Sequence, residues 1–519
     1  MEKGGAVREG RRNRKALWAA VAFALLLVLS ACILLLSRPE EMPVPAGPGV
    51  SRCLLMGWDR FVTMPDTAPV NANNVREIAG IMEKQVPEVR ELITVTEGPG
   101  TVAAFEDQVR AAFREAGPND VSYLYLATHG ITWKADTGAQ KTGLLLSDGE
   151  KEELLEPERL RGILDRVPGE KVLIVEACYS GGLIGKGMEG HPANPFAGSR
   201  IRVLVSGGGG EKSYLWTAAD APDQGQGYFT AALVTALEDS RSTLTDADGS
   251  GEISLNEVYE ALCSLHGASR VYVYPEEDQR CLFRPVSDRS RIFGGKRLLT
   301  GLRFAEGALN PENPAQEIYF TLREDTRLIY AMIPSRDGEW QFDEAVRLPD
   351  RERTGTTRGL LSAGVKHRTV RLHAPEEGES GYSLLELMTL RPGGAVLEAS
   401  RMLCIPAATG DPGLRVETGE SFAPDRGEEM DITVRYSRNC TLTVCVETPD
   451  GQVVRILWDN RLSRPGGAVY LYWNGTGPDG EKLPAGDYRI RVSAATGDRS
   501  REAFSPVFRL VRKGNRNTK

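Results

Sequence analysis

The chain is 519 residues long, 41% hydrophobic and 26% charged, with 56 Gly and 30 Pro. This globular composition excludes a disordered, collagenous or polytopic membrane protein, and the length predicts about three domains, each with its own core. The net charge is −8, divided into +5 over residues 1–38 and −13 over the remainder, so phosphate backbones are repelled and nucleic acid is not an expected partner.

The chain opens with a basic segment, 1–15, containing Lys3, Arg8, Arg11, Arg12, Arg14 and Lys15. An uncharged apolar run from Ala16 to Leu36 comes next, 21 residues and enough for a helix to cross roughly 30 Å of hydrocarbon. Signal-peptide cores are shorter. Residues 16–37 are therefore expected to be a single uncleaved transmembrane helix, its basic flank cytoplasmic and the bulk of the chain extracellular. The alternative lies at Leu29-Ser30-Ala31-Cys32, which resembles a bacterial lipobox and would put a lipid on Cys32. Either tether places the chain beyond the 38–50 linker outside a membrane. Eight cysteines are too sparse for a disulfide scaffold; Cys263 with Cys281 and Cys440 with Cys445 could pair, or could be buried strand residues.

Beyond the linker, apolar runs at 53–58, 121–128, 171–177 and 201–206 alternate with helical periodicity at 73–85, 102–116 and 156–167. Continuous apolar strands between helices predict an α/β domain over 51–290 with a mostly parallel sheet covered on both faces. Ligands of such sheets sit beyond the carboxyl ends of the strands. Two strands end there in reactive residues: Tyr123-Leu-Tyr-Leu-Ala-Thr-His129-Gly130 and, 49 residues from His129, Val172-Leu-Ile-Val-Glu176-Ala-Cys178-Tyr-Ser180-Gly181-Gly182. If the two strands are neighbours, His129 and Cys178 face one cleft. A thiolate is a nucleophile, an imidazole can take its proton, and the Gly-rich turn frees N–H groups for an oxyanion.

Thr128-His129-Gly130 followed by Glu176-Ala-Cys178-Tyr-Ser180-Gly181 resembles the caspase-like cysteine peptidases, which include caspases, metacaspases, legumain, clostripain and gingipain. The His-to-Cys spacing is similar to that of caspases. The resemblance covers about residues 50–290 and includes Val203-Leu-Val-Ser206-Gly-Gly-Gly-Gly210 and Gly227-Tyr-Phe-Thr-Ala-Ala-Leu233. It implies a three-layer α/β/α fold and peptide-bond cleavage, with His129 and Cys178 catalytic and the N–H groups of Gly130 and Cys178 holding the oxyanion. It also implies a substrate pocket containing Glu176, with Asp59 and Ser206 as further lining. The chain lacks the Gln-Ala-Cys-x-Gly of true caspases; a carboxylate at 176 favours Arg or Lys before the scissile bond, whereas legumain, with the same Glu-Ala-Cys, prefers Asn. Asp59 could equally be a turn-capping residue. His191 reads as surface, and His266, His367 and His373 carry no partner signal.

Residues 246–257, Asp-Ala-Asp-Gly-Ser-Gly-Glu-Ile-Ser-Leu-Asn-Glu, follow the EF-hand loop pattern. Asp246, Asp248 and Ser250 stand at positions 1, 3 and 5, Gly251 at 6, the Glu252 carbonyl at 7 and Glu257 at 12. Calcium is the expected cofactor, and the peptidase resemblance implies that it activates.

From about residue 290 the pattern changes to alternating strands with frequent turns, which predicts two β-sandwich domains, 296–408 and 412–512. The second resembles the immunoglobulin-like domain of flagellar hook-capping proteins through Ser421-Phe422-Ala-Pro424-Asp425, Trp473-Asn-Gly475, Asp479-Gly480 and Pro484-Ala-Gly486-Asp-Tyr488. Trp473 and Tyr488 are its expected core aromatics, and spacing or docking to a protein partner its expected use. The leading expectation is thus a membrane-tethered extracellular cysteine endopeptidase acting on peptides or proteins. A non-catalytic binding or scaffold protein and a legumain-like transpeptidase are the alternatives.

Overall fold

The computed structural model describes residues 49–135, 140–190, 192–218, 221–238, 245–285, 297–306, 309, 315–348, 361, 363–371, 381–407 and 409–512. The expected membrane segment 16–37, Cys32, His191 and His373 lie outside these residues. Among the described residues no helix is long and apolar enough to cross a membrane.

A six-stranded sheet organises the first part of the chain. Its strands are β1 (Ser51–Gly57), β2 (Val89–Val95), β3 (Val121–Ala127), β4 (Glu170–Glu176), β5 (Ile201–Val205) and β6 (Tyr272–Tyr274). They lie in the order 2-1-3-4-5-6, the first five parallel and β6 antiparallel. Successive side chains point to opposite faces. Cys53, Leu55, Tyr123, Tyr125, Val172 and Ile174 therefore meet one apolar layer, and Leu54, Met56, Leu124, Leu126, Leu173 and Val175 the other. Helices α1 (Val70–Gln85), α4 (Tyr228–Glu238) and α5 (Leu255–Leu265) fill the first layer; α2 (Val102–Ala112) and α3 (Pro157–Asp165) fill the second. The result is three layers, α/β/α. The edge strand β2, whose side chains are mostly half-exposed, has no continuous apolar run, which is why the sequence pattern did not mark it.

A small antiparallel sheet, Gly130–Lys134, Gln140–Ser147 and Glu152–Leu155, follows β3 directly. All seven described cysteines are free thiols, and Cys440 and Cys445 are buried.

Between 299 and 405 two antiparallel sheets face each other, one built on Ala315–Leu322 and the other on Tyr382–Arg391 and Gly394–Cys404. This region has no core of its own: Leu299, Phe320, Leu385, Leu387 and Ala399 belong to the same buried cluster as Ile78, Leu233 and Leu262 of α1, α4 and α5. The second β region, 409–512, has a separate core in which Phe422, Trp473, Tyr488 and Phe508 pack as tilted and edge-on rings 5.4–6.4 Å apart. The expectation of one core per domain thus fails for region 299–405, and the described residues from 49 on form one compact unit.

Candidate active site

Strands β3 and β4 are hydrogen-bonded neighbours in register Ala127↔Glu176, and Thr128 N continues the ladder to Glu176 O at 3.2 Å. His129 and Cys178 therefore leave the sheet side by side. Gly130 then passes so close to Cys178 that a Cβ there would lie 1.7 Å from Cys178 O and 3.3 Å from its N. Only glycine permits this approach.

His129 is held from three sides. Its carbonyl accepts from Leu145 N at 2.9 Å, and the preceding Thr128 hydroxyl donates to Leu145 O at 2.5 Å. Its ring packs on Phe61, centroids 4.4 Å apart, and Nε2 lies 2.9 Å from Pro65 O. A carbonyl only accepts, so Nε2 carries the hydrogen and Nδ1 keeps the lone pair of a base. The loop that presents Pro65 is tied down in turn, Phe61 N to Asp66 Oδ1 at 2.9 Å and Val62 N to Glu152 Oε1 at 2.6 Å.

Cys178 is half-buried. Its Sγ donates to Ser213 O at 3.4 Å, and no hydrogen bond joins it to His129 among the described residues. Burial pushes the thiol pKa up, opposed more weakly by the Ser213 contact and the Lys212 ammonium. Burial thus favours the neutral thiol over the thiolate at rest. Tyr179 bends back at φ +58°, with Tyr179 N on Glu211 O and Gly181 N on Gly207 O, both at 2.8 Å. The Cys178 N–H itself donates to no acceptor among the described residues, which leaves it available to an anionic oxygen.

The three residues expected to line the pocket have other work. Glu176 is buried, its side chain turned into the layer between the sheet and α1 and α4. Its carboxylate accepts from Phe229 N at 3.1 Å, Thr230 N at 3.3 Å, Thr230 Oγ1 at 2.5 Å, and Tyr125 Oη and Asn74 Nδ2 at 3.1 Å. It caps the first turn of α4, and burial raises its pKa to about 7. Alternation explains the error: two residues before a nucleophile that continues the strand direction is still inside the sheet. Asp59 caps α1, accepting from Asn71 N and Ala72 N at 2.9 Å, which is the capping alternative. Ser206 is fully buried; its Oγ accepts from Ala177 N at 3.1 Å and lies 3.3 Å from Ser180 Oγ. It supports Ala177 and Ser180, the neighbours of Cys178.

His266, for which the sequence offered no partner, sits beneath the same strand end. Its Nε2 is 3.2 Å from Ser206 O and 2.9 Å from Ser269 Oγ, and burial lowers its pKa to about 4, so it is neutral at pH 7. A lone histidine after an amphipathic helix carries no signal of that contact. His367 stacks on Tyr319 at 4.6 Å, remote from the pair.

In the acidic loop, Asp246, Asp248 and Glu257 offer oxygens within 4.8 Å of one another. Asp246 Oδ1 is buried without a protein partner. An all-oxygen set with one orphaned carboxylate oxygen fits a hard cation. Glu257 also closes the capping box of α5, accepting from Ser254 N at 2.8 Å and Ser254 Oγ at 2.9 Å. Ser250 Oγ donates to the Glu252 carbonyl at 3.0 Å, and the Glu252 side chain turns away to Arg284 at 3.0 Å. Ile253 is buried and pairs with Phe283.

Residues 423–498 match the FlgD Ig-like domain. No curated protein matches the chain. Among solved structures, protein GSU0716 from Geobacter sulfurreducens is 12% identical, with a TM-score of 0.31 over 47% of this chain and 96% of its own. Caspase-1 from Spodoptera frugiperda is 11% identical, with a TM-score of 0.29 over 46% of this chain and 92% of its own. Dimeric latent PorU from Porphyromonas gingivalis is 15% identical, with a TM-score of 0.18 over 41% of this chain and 20% of its own.

Proposed function

We propose that the chain is a membrane-tethered extracellular cysteine peptidase in which His129 and Cys178 cleave peptide bonds. The observation that supports this reading is the close approach of Gly130, the residue after His129, to the Cys178 main chain.

Binding of a peptide carbonyl over Cys178 sets the sequence of events. The Sγ proton passes to His129 Nδ1 while Nε2–H stays on Pro65 O, and the sulfur attacks the carbonyl carbon. The Cys178 and Gly130 N–H groups receive the oxyanion. His129 Nδ1–H then protonates the departing amine as the C–N bond breaks, leaving a thioester. Water, giving its proton to Nδ1, releases the acid and restores the thiol. Because burial disfavours the thiolate, proton transfer to His129 belongs to the reaction and not to the resting state.

With Glu176 in the core, the preference for Arg or Lys before the scissile bond loses its basis and forms no part of the proposal. Asp246, Asp248, Ser250 and Glu257 side chains with the Glu252 carbonyl would hold calcium, which would neutralise the clustered carboxylates and fix the start of α5. Residues 16–37 supply the tether.

The test is incubation of the full chain in detergent with a peptide library, beside Cys178→Ala, and labelling with a peptidyl electrophile. Cleavage and labelling that both vanish in the variant support the peptidase. Neither in the parent protein supports the binding-protein alternative, and transfer to an added amine supports the transpeptidase.

A further inference from the structure

We infer that the Ig-like region 409–512 is a positioning part of the catalytic site, because Tyr472 and Glu429 hold the loop that carries Cys178. The inference rests on the peptidase reading.

Loop 178–187 has little structure of its own beyond one five-residue 3-10 turn, Ser180–Ile184. Leu183 and Ile184 anchor its middle in the α/β core, and glycines at 181, 182, 185 and 187 leave the rest few side chains with which to pack. Main-chain bonds tie the loop to 207–211 along its length: Tyr179 N to Glu211 O, Gly181 N to Gly207 O and Gly209 N to Lys186 O, each 2.8 Å, and Gly210 N to Gly187 O, 2.9 Å. Its far end is tied to the Ig-like region. Gly187 N donates to Tyr472 Oη at 2.7 Å. Lys186 Nζ, 2% exposed, reaches Glu429 Oε2 at 2.6 Å and Glu276 Oε1 at 2.9 Å, donates to Val273 O at 2.8 Å, and stands 4.6 Å from the Tyr472 ring centroid.

A buried ammonium that loses one of its carboxylates is left under-compensated, at a cost that breaking such a pair makes large. Gly187, at φ +68°, leaves no room for repacking: a Cβ there would lie 2.5 Å from Gly208 Cα. Undocking of the Ig-like region therefore removes the hold on the 186–187 end of the loop that carries Cys178. Several other bonds of this interface lie away from the loop, for instance Arg270 Nη1 to Tyr470 O at 2.6 Å and Thr476 Oγ1 to Glu277 Oε2 at 2.8 Å. The loop contacts are thus separable from docking as such.

Tyr472→Phe and Glu429→Gln in the full chain test this, with Arg455→Gln, which removes the ion pair to Glu277 across the same interface, as a control. Three quantities are measured: the rate of Cys178 alkylation by iodoacetamide as a function of pH, read by peptide mass spectrometry; kcat and KM on any peptide the parent cleaves; and Tm. The expected result is a fall of roughly tenfold or more in kcat and in alkylation rate for both loop variants, with KM and the control near the parent. Tyr472→Phe keeps the ring and removes only the hydroxyl, so it reports even if Glu429→Gln does not fold. Alkylation and kcat within twofold of the parent, with only Tm lowered, would overturn the inference and leave the peptidase intact. A parent that cleaves nothing but whose Cys178 alkylation responds to Tyr472→Phe would sink the peptidase reading and keep the brace.

Discussion

The two β regions are both mainly antiparallel, both about a hundred residues long, and joined to the same α/β layer in opposite ways. Region 299–405 shares an apolar cluster with α1, α4 and α5, so it has no core to keep if it separates. Region 409–512 buries its own aromatics and meets the α/β layer through hydrogen bonds, ion pairs and cation–π contacts, such as the Arg270 guanidinium 4.8 Å from the Trp458 ring. Apolar fusion is non-directional and large, whereas polar docking is directional and modest. A polar interface can therefore hold a loop in one geometry while the module that holds it stays stable by itself.

Core truncations separate the two cases most sharply. Trp473→Ala should cost about 3–5 kcal/mol and Leu385→Ala about 2–5 kcal/mol. In calorimetry with hydrogen exchange, the first should lower a transition confined to 409–512, and the second a transition that includes β1, β3 and α4. A single transition lowered by both would erase the distinction.

A pH series on Glu176→Gln probes the fused body next. The folded pKa of Glu176 is raised to about 7 from the usual 4.5, so the folded state binds the extra proton between those values. Stability from this group is full below pH 4.5 and is lost as pH rises through 7. Relative to the variant, the parent should lose on the order of 3 kcal/mol over that window, seen as urea midpoints that converge or cross only in the parent–variant comparison. A pH-independent difference would remove Glu176 as a titrating group.

Calcium sharpens the same contrast, since α5 belongs to the fused core and the Ig-like region has no part in the acidic loop. At a hundredfold excess over Kd, calcium should stabilise the α/β transition by about 2.7 kcal/mol and leave the 409–512 transition in place. Asp246→Asn should abolish the shift in Tm; a shift that survives the substitution would place the ion elsewhere. The smallest effect is expected from Asp59→Ala, which uncaps α1 at a cost of about 1 kcal/mol, measured by urea unfolding with the 409–512 transition again unmoved.

Apolar runs and helical periods marked β1, β3, β4 and β5 and helices α1 to α3 to within a few residues, because continuous burial leaves a continuous signature. The meeting of His129 with Cys178 at neighbouring strand ends was legible for a related reason: a His-Gly and a Cys-Tyr-Ser-Gly each come directly after such a run. The clustering of Asp246, Asp248 and Glu257 was legible from their spacing. What the sequence could not decide was where side chains point once layers close over them. Glu176 stands next to the nucleophile in the chain but on the helix side of the sheet, Asp59 finds the N–H groups of α1, and His266 meets Ser206 from sixty residues away. Nor could local pattern tell a β region that shares its neighbour's core from one that owns a core and offers Tyr472 and Glu429 to a distant loop. Periodicity records whether a residue is buried, and only the tertiary structure records against what.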